Sequence, residues 1–387
     1  MVLALISGLL ALPALGETAR ELTPRRVSAQ VNQQNLNALT DGRYATAWYA
    51  KKGWLEVELK QGETAGGVYV CHSRFAARHA VQVPDGAGGW RDVAVHEEGY
   101  LHQFTPLPGV DRFRLEIRDF DGEHMLNIAE LHVLSEGERP DWVQEWGALS
   151  GKADLMLVAA HPDDEWIWFG GTLPYYATER GKRIQVVYLT CGAAQRANEL
   201  LDGLWMGGIR NYPVIGPFKD VSAHDRQTIY GAWGGTKTLY PWLVRLIRRY
   251  QPDVLLSHDL NGEYGHAAHQ IAGYACVNCL ERAADPTFDE GSAAEHGVWQ
   301  VPKLYLHYYP ENRIEIGWQM PLSAFAGRTA FDVAGEALRK HKSQHPLSQD
   351  MREGGPYDCR VFGLVSFQVG PDTGRNDFFE NIDESWE

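Results

Sequence analysis

The 387-residue chain is longer than a typical single domain, which favours two domains. Its 44% apolar and 22% charged residues are typical of a globular protein and exclude a largely disordered or fibrous chain. The 36 Lys and Arg residues against 50 Asp and Glu residues give a net charge of −14, which argues against nucleic-acid binding and binding to an anionic membrane. The 13 Trp residues suit either stacking on sugar rings or core packing.

The chain opens on an apolar run, residues 2–15, with Ala14 and Gly16 as small residues before Glu17. The run is too short to span a bilayer comfortably, and its end is typical of a signal-peptide cleavage site, although no Lys or Arg precedes it. We therefore expect residues 1–16 to be a signal peptide and the protein to be secreted or to reside in the cell envelope. No other stretch of the sequence is expected to span a membrane.

Residues 22–134 read as a β domain. Strand-length apolar or alternating segments occur at 54–59, 67–73 and 112–117, separated by Gly and Asp turns and without an amphipathic helix. This pattern predicts a β-sandwich. The polar residues 135–152 are predicted to be a linker.

From residue 153 to 346, strands alternate with helices. The predicted strands are 153–160, 183–190, 253–257 and 303–309, and the predicted helices are 165–181, 195–207, 236–250, 267–284 and 328–344. This alternation predicts an α/β domain with a doubly wound, mostly parallel sheet. Residues 347–387 are expected to form a C-terminal extension packed on this domain. Cys276 and Cys279 form a CxxC pair within a predicted helix, which fits buried apolar side chains or, alternatively, a metal or redox role.

Two polar clusters follow predicted strands of this α/β domain. The first is AHPDDE, residues 160–165, and the second is SHDLNGEYGHAAH, residues 257–269. Ligands of open α/β sheets bind at the carboxyl ends of the strands, so the two clusters are expected to meet there. His and carboxylate side chains in such a set are typical ligands of a catalytic zinc ion. His258, directly after a strand, could be either a ligand or a residue that supports one.

The same residues resemble the PIG-L/LmbE family of zinc-dependent deacetylases. The resemblance rests on AHPDDE, the strand RIQVVYLT with Gly192, Arg196 with Glu199, GHAAH, and the H-x-S-Q motif that begins at His341. It implies that the metal ligands are His161, Asp164 and His269.

The resemblance also assigns catalytic and substrate-binding roles. It implies that Asp163 is the general base that takes a proton from the attacking water, and that His266 stabilises the oxyanion and protonates the leaving amine. Tyr264 matches a mobile tyrosine near the oxyanion, and Arg196 matches a substrate-contacting arginine. The chemistry agrees, because amide hydrolysis needs an activated water, a polarised carbonyl and a proton for the amine.

Two positions depart from the family pattern. Ala268 stands where many relatives have an Asp, so a carboxylate partner for His266 is absent. Ala193 stands where relatives often have an acidic residue after the glycine of the second strand. The pKa of His266 and the way Arg196 or the substrate is bound are therefore open.

The N-terminal region resembles a discoidin, or coagulation-factor C-type, module. The resemblance rests on ALTDGRYATAW, residues 38–48, the strand WLEVEL, and the closing FRLEI and LNIAELHVL segments. It implies carbohydrate binding and a possible structural calcium ion at Asp41, Thr46 and Glu130. An ordinary turn aspartate is the alternative for Asp41.

Together these features predict an exported, zinc-dependent hydrolase that removes the N-acetyl group from an amino sugar or a glycan and releases acetate. A metal-dependent amidase acting on a non-sugar N-acyl substrate is one alternative. A non-catalytic carbohydrate-binding protein, in which the sandwich is the working part, is the other.

Overall fold

The computed structural model describes residues 17–382 apart from 75–76, 98, 120–124, 347–348, 371 and 373. They form two compact units, which divide between Gln144 and Glu145. The expected signal peptide, residues 1–16, lies outside the described residues. Among the helices of the described ranges, none combines the length and the apolar character needed to cross a bilayer.

The first unit consists of two five-stranded antiparallel sheets. Its strands are β1 (Glu21–Leu22), β2 (Arg26–Ala29), β3 (Trp48–Ala50), β4 (Trp54–Glu58), β5 (Ala65–His72), β6 (His79–Pro84), β7 (Trp90–His96), β8 (His102–Val110), β9 (Arg112–Ile117) and β10 (Leu126–Leu134). A 3₁₀ helix, Gln33–Thr40, lies between β2 and β3. One sheet has the order β1-β10-β5-β8, with β3 also paired to β10, and the other has the order β2-β4-β9-β6-β7.

Side chains of both sheets share one apolar core. Val57 and Phe113 come from one sheet, Val68 and Leu131 from the other, and all four are buried in the same cluster. Along β9 exposed or half-buried residues alternate with buried ones, as the alternating sequence requires of a strand with one face on the core. The β-rich N-terminal region predicted from the sequence is confirmed.

The predicted linker, residues 135–152, is divided between the two units. Val143 is buried in the first unit with Ala19 and Leu134, and Leu149 is buried in the core of the second. Although this segment is mostly polar, Val143 and Leu149 each pack into the apolar cluster of a different unit.

The second unit is built on one seven-stranded sheet. Its strands are β11 (Leu155–Ala159), β12 (Ile184–Thr190), β13 (Val214–Phe218), β14 (Val254–Ser257), β15 (Lys303–His307), β16 (Arg313–Glu315) and β17 (Val361–Phe367). Its helices are α1 (Asp164–Ile167), α2 (Thr172–Pro174), α3 (Ala194–Met206), α4 (Arg226–Trp233), α5 (Thr236–Tyr250), α6 (Ala267–Ala284), α7 (Glu290–His296) and α8 (Ala330–Leu338). Short helical turns also occur at Tyr175–Glu179, Glu263–Gly265, Ser323–Phe325 and Lys342–Gln344.

The strand order is β13-β12-β11-β14-β15-β17-β16. The first five strands are parallel, and β17 pairs antiparallel with both β15 and β16. The chain thus leaves the central strand β11 first toward β12 and later toward β14. That change of direction creates a crevice at the carboxyl end of β11, where α/β proteins bind their ligands.

Several predicted elements differ in the structure. The predicted helix 165–181 is broken into α1, α2 and a π-helical turn, because Gly170 has φ +53° and its missing side chain leaves room for Trp318. The predicted helix 328–344 ends at Leu338 and is followed by a 3₁₀ turn. Residues 361–367, assigned from sequence to an extension, form β17 within the sheet. Cys276 and Cys279 are buried and form no disulfide, as is typical of cysteines in an apolar core.

Candidate active site

The AHPDDE segment makes a tight turn at the carboxyl end of β11. Asp163 has φ +103°, an unusual value for a residue with a side chain. The turn is stabilised because the Asp163 amide donates to Glu165 Oε2 at 2.8 Å and the His161 amide donates to Asp164 Oδ2 at 2.7 Å. The two consecutive carboxylates therefore have different surroundings. Both line the pocket, but Asp163 is half-buried and Asp164 is buried.

The second cluster follows β14, the strand next to β11. His258 comes directly after this strand, and His266 and His269 lie just before and within the first turn of α6. The rings of His266 and His269 are 4.4 Å apart between centroids, and that of His266 is 4.8 Å from the ring of His161. The two clusters therefore meet at one edge of the sheet.

The predicted metal ligands are close together in the structure. Asp164 Oδ2 lies 3.2 Å from His161 Nδ1, and Asp164 Oδ1 lies 3.3 Å from His269 Nε2. Within the described residues, two sets of three have their ligand atoms within 4.8 Å of one another. They are His161, His266 and His269, and Asp164, His258 and His269. Of the predicted ligands, His161 and His269 belong to the first set, and Asp164 and His269 belong to the second. The first set also contains His266, the predicted acid.

The donor set fits a metal cation. Nε2 of His269 is buried and makes no hydrogen bond in the part of the chain that the structure describes. Burial alone would lower the pKa of His269, but the carboxylates of Asp164 and Glu263 raise it to about 10. Burial would likewise raise the pKa of Asp164, but the neighbouring His269 and His258 keep it well below its usual value. The Asp164 carboxylate and the imidazole nitrogens of His161 and His269 are donors of the kind that a divalent metal requires, and a bound metal would displace the proton that the carboxylates hold on His269.

The geometry accounts for both nitrogens of His258 without a metal. Its Nδ1 lies 2.9 Å from Glu263 Oε2, and its Nε2 accepts a hydrogen bond from the Ala160 amide at 3.0 Å. Since Nε2 accepts from an N–H group, its lone pair is not directed at a metal. This arrangement supports the interpretation of His258 as a residue that supports the ligands.

The predicted base and acid line the same cavity of about 220 Å³. It is lined by His161, Asp163, Asp164, Ile167, Trp168, Arg196, Asp220, Val221, Ser222, Tyr264, His266, Gln344 and Gln349. Burial and the charge of Asp164 raise the pKa of Asp163 to about 7, against the opposing charge of Arg196. Burial and the neighbouring His269 and His161 lower the pKa of His266 to about 3. Ala268 is buried and offers no carboxylate to oppose this shift.

Arg196 lies at this cavity but is already engaged by the protein. Its Nη1 donates to Asp220 Oδ2 at 3.1 Å, and its Nη2 donates to the carbonyl of Pro162 at 2.7 Å. Nη2 also lies 3.5 Å from Asp163 Oδ2. Arg196 therefore stabilises the turn that carries the predicted base.

Sequence reasoning missed Asp220 and Trp168. Asp220 follows β13, so its position after a parallel strand was a signal that could have identified it. Trp168 is buried and donates from its indole Nε1 to Asp164 Oδ1 at 2.9 Å. Asp164 and Trp168 are four residues apart, which is the spacing of neighbours on one helical face, and this spacing was the signal that could have identified the bond.

Tyr264 lies at the mouth of the cavity with 44% of its surface exposed. Its φ of +48° places it in the left-handed region, and its ring lies 5.5 Å from that of His266 and 5.7 Å from that of Trp168. It is therefore positioned to contact a molecule in the cavity.

The three residues predicted to bind calcium lie together in the first unit. The Thr46 hydroxyl donates to Asp41 Oδ2 at 2.7 Å, and the Arg43 amide lies within hydrogen-bonding distance of Asp41 Oδ1 and Glu130 Oε1. The carboxylates thus already accept hydrogen bonds from the protein. Calcium binding there stays a prediction without support from this geometry.

A sequence profile of the PIG-L family, described as GlcNAc-PI de-N-acetylase, matches residues 156–280, which include both polar clusters. The chain is 30% identical to a 1D-myo-inositol 2-acetamido-2-deoxy-alpha-D-glucopyranoside deacetylase of Mycobacteroides abscessus, over 59% of this chain and 98% of that protein. It is 32% identical to a protein of the same name from Catenulispora acidiphila, deacetylase 1, over 48% of this chain but only 64% of that relative's length.

Two solved structures are similar to separate parts of this chain. One is the N,N'-diacetylchitobiose deacetylase of Pyrococcus horikoshii, with 18% identity and a TM-score of 0.38 over 50% of this chain and 72% of that one. Another is a family 32 carbohydrate-binding module of Clostridium perfringens NanJ in complex with galactose, with 18% identity and a TM-score of 0.24 over 28% of this chain and 93% of that one.

Proposed function

Because the chain belongs to the PIG-L family, we propose that it is a metal-dependent hydrolase that removes the acetyl group from an N-acetylated amino sugar. The observation that supports this most directly is the cavity in which Asp163 lies beside His161 and His266. Water adds to the acetamido carbonyl carbon, the carbon–nitrogen bond breaks, and the products are acetate and a free amine.

We propose that the metal is zinc, bound by His161, Asp164 and His269. When bound, zinc would polarise the acetamido carbonyl and lower the pKa of water. The preference for zinc is supported by the mixture of imidazole and carboxylate donors, which is common in catalytic zinc sites.

Asp163 is proposed as the general base for the attacking water. A carboxyl group whose pKa is raised toward neutrality is suited to accept a proton and to return it in the next step. His266 is neutral because of its lowered pKa, so we assign it a hydrogen bond to the developing oxyanion. Its predicted role as the acid for the leaving amine then depends on a proton delivered by Asp163.

The charges around the cavity favour a neutral substrate. Among the described residues that line it, Arg196 is the one permanent cation, and it already faces Asp163 and Asp220. A phosphate or carboxylate on the substrate would lie near Asp163, Asp164 and Asp220 without a free cation to pair with. We therefore propose an uncharged N-acetylated sugar or glycan as the substrate class.

Acetate release from a panel of N-acetylated compounds tests this proposal. The panel contains N-acetylglucosamine, diacetylchitobiose, N-acetylglucosamine 6-phosphate, an N-acetyl amino acid and a polymeric N-acetylglucosaminyl glycan, each with and without a chelator. We expect chelator-sensitive release from the neutral sugars. Asp163→Asn should slow it by about 10²–10⁴-fold, whereas Asp154→Asn at the opposite end of β11 should leave it unchanged.

The remaining outcomes distinguish the alternatives. Release from the N-acetyl amino acid alone would favour an amidase with a non-sugar substrate. Metal binding without release from any compound, together with retention of the chain on a polysaccharide, would favour a non-catalytic carbohydrate-binding protein.

We also propose that the sandwich binds carbohydrate and directs the hydrolase to polymeric substrates. This proposal is supported by the discoidin-like sequence motifs and by the separate core of residues 17–144. A fragment that begins at Glu145 should deacetylate small substrates normally but lose efficiency on a polymer, because tethering raises the local concentration of substrate. Equal losses on small and large substrates would contradict this role.

A further inference from the structure

Glu263 is a fully buried carboxylate outside the predicted catalytic set. It lies in the short turn between β14 and α6, and its surface is 0% exposed. Three imidazoles surround it, and we call Glu263 with His258, His269 and His307 the Glu263 cluster. Oε2 lies 2.8 Å from His269 Nδ1 and 2.9 Å from His258 Nδ1, and Oε1 lies 2.7 Å from His307 Nδ1.

The cluster determines which nitrogen of His269 is left for a metal. Nδ1 of each of the three rings lies within 2.9 Å of a carboxylate oxygen of Glu263, and the Asp259 amide donates to Oε1 at 3.3 Å. Because His258 accepts at Nε2 from the Ala160 amide, its hydrogen is on Nδ1 and is donated to Glu263, and the same carboxylate is the acceptor that faces Nδ1 of His269. Nε2 of His269 then faces Asp164 Oδ1 at 3.3 Å and has no hydrogen-bond partner among the described residues.

The other two imidazoles connect Glu263 to distant segments. His258 Nε2 accepts from the amide of Ala160, the residue that precedes His161. His307, at the end of β15, places Nε2 3.1 Å from the carbonyl oxygen of Asp358. A single carboxylate thus contacts the α6 histidine directly and the β11 turn through one intermediate ring.

We propose that Glu263 is a positioning residue that sets the metal affinity of the site, by orienting His269 through its Nδ1 and by fixing the β11 turn through His258. The inference rests on the proposed metal-dependent function but concerns binding of the metal alone. Carboxylates that accept a hydrogen bond from a metal-binding histidine typically change metal affinity by about 10–100-fold when they are removed.

Glu263→Gln tests the proposal with little change in size. An amide has one acceptor oxygen and places an NH₂ group where Oε2 or Oε1 now accepts, so at least one imidazole loses its acceptor. We expect the affinity of the full chain for Zn²⁺ and Co²⁺, measured by competition with a chelator of known affinity, to fall about 10–100-fold.

Glu199→Gln is the matched control. Glu199 is also a buried glutamate, but it accepts from the Ser343 amide at 2.8 Å, and no described contact joins it to the three predicted metal ligands. The control variant should keep the metal affinity of the unmodified chain even if it is less stable. Equal metal affinity in Glu263→Gln and the unmodified chain would overturn the proposal.

A measurement on the unmodified protein covers the case in which Glu263→Gln does not fold. ¹⁵N NMR of histidine in the zinc-loaded chain should show His269 bound through Nε2 with a hydrogen on Nδ1. Zinc on Nδ1 of His269, or a Nδ1 without hydrogen, would overturn the proposal. Because both measurements read metal binding, an inactive protein that binds zinc in this way would defeat the proposed deacetylase function and leave this inference standing.

Discussion

At the scale of single residues, Asp163 and Asp164 are chemically identical neighbours with different surroundings. Asp164 is enclosed by donors, since the His161 amide and the Trp168 indole each donate to one of its oxygens. Asp163 faces the cavity with a raised pKa.

Asp163→Asn should therefore keep its metal and lose kcat by about 10²–10⁴-fold. Asp164→Asn should lose metal affinity, with activity partly restored by excess zinc. Metal analysis and kinetics on both variants check these two predictions. Loss of zinc in Asp163→Asn but not in Asp164→Asn would mean that Asp163 is the metal ligand and Asp164 the base.

Trp168 permits a second prediction at the same scale. Trp168→Phe removes the indole N–H that orients Asp164 but keeps most of the ring, so metal affinity should fall about 10-fold, at the lower end of the range for such supporting contacts. Trp166→Phe is the control, because the buried indole nitrogen of Trp166 has no hydrogen-bond partner among the described residues. Chelator competition on both variants checks the prediction, and a similar loss in the two would show that ring volume alone matters.

At the scale of elements, the turn between β14 and α6 depends on two glycines. Gly262 has φ +68°, and a side-chain carbon there would lie 2.4 Å from the His266 carbonyl, whereas Gly265 has φ +78° with nothing within 4 Å. Gly265→Ala should thus cost only backbone strain, about 1 kcal/mol. Gly262→Ala should cost more and also lower metal affinity, because relieving the clash moves the turn that carries Glu263. Thermal unfolding with and without zinc measures both effects, and equal shifts for the two variants would contradict this account.

At the scale of whole units, the sandwich contains a cluster of neutral histidines. Burial, with a smaller effect from neighbouring histidines, lowers the pKa of His72 to about 4 and that of His79 to about 3. The unfolded chain, with a pKa near 6.5, therefore binds protons that the folded unit does not. The neutral rings therefore contribute their full stabilisation above about pH 6.5, and this contribution is lost as the pH falls toward 4. Near pH 5 the free energy of unfolding should be lower by on the order of 1–2 kcal/mol per ring.

Hydrogen exchange checks this prediction within the intact chain. The amides of β5 and β6 should exchange faster at pH 5 than at pH 7.5, after correction for the intrinsic pH dependence of exchange. Replacing His72 and His79 by Gln should reduce that difference even if the variant is less stable overall. An unchanged difference would assign the acid sensitivity to other groups.

Local sequence patterns were sufficient to predict the class of each unit and to propose the main site residues. Alternation along β9 and the apolar run of β11 are local patterns, and local patterns follow directly from which face of a strand is buried. The AHPDDE and HAAH segments could be placed together because both follow strands, and the carboxyl ends of parallel strands share one edge of a sheet.

The contacts that support these residues join segments that are distant in the sequence, so they could not be predicted from it. The bond from Ala160 to His258 joins positions 98 residues apart, and that from Glu263 to His307 joins positions 44 apart. Neither has a local pattern, because a buried polar contact depends on strand order and register. The same holds for β17, which belongs to the sheet only because it pairs with β15. The motifs therefore predict which carboxylates and imidazoles are present at the site. The orientation of these side chains depends on how strands that are distant in the sequence pack around them.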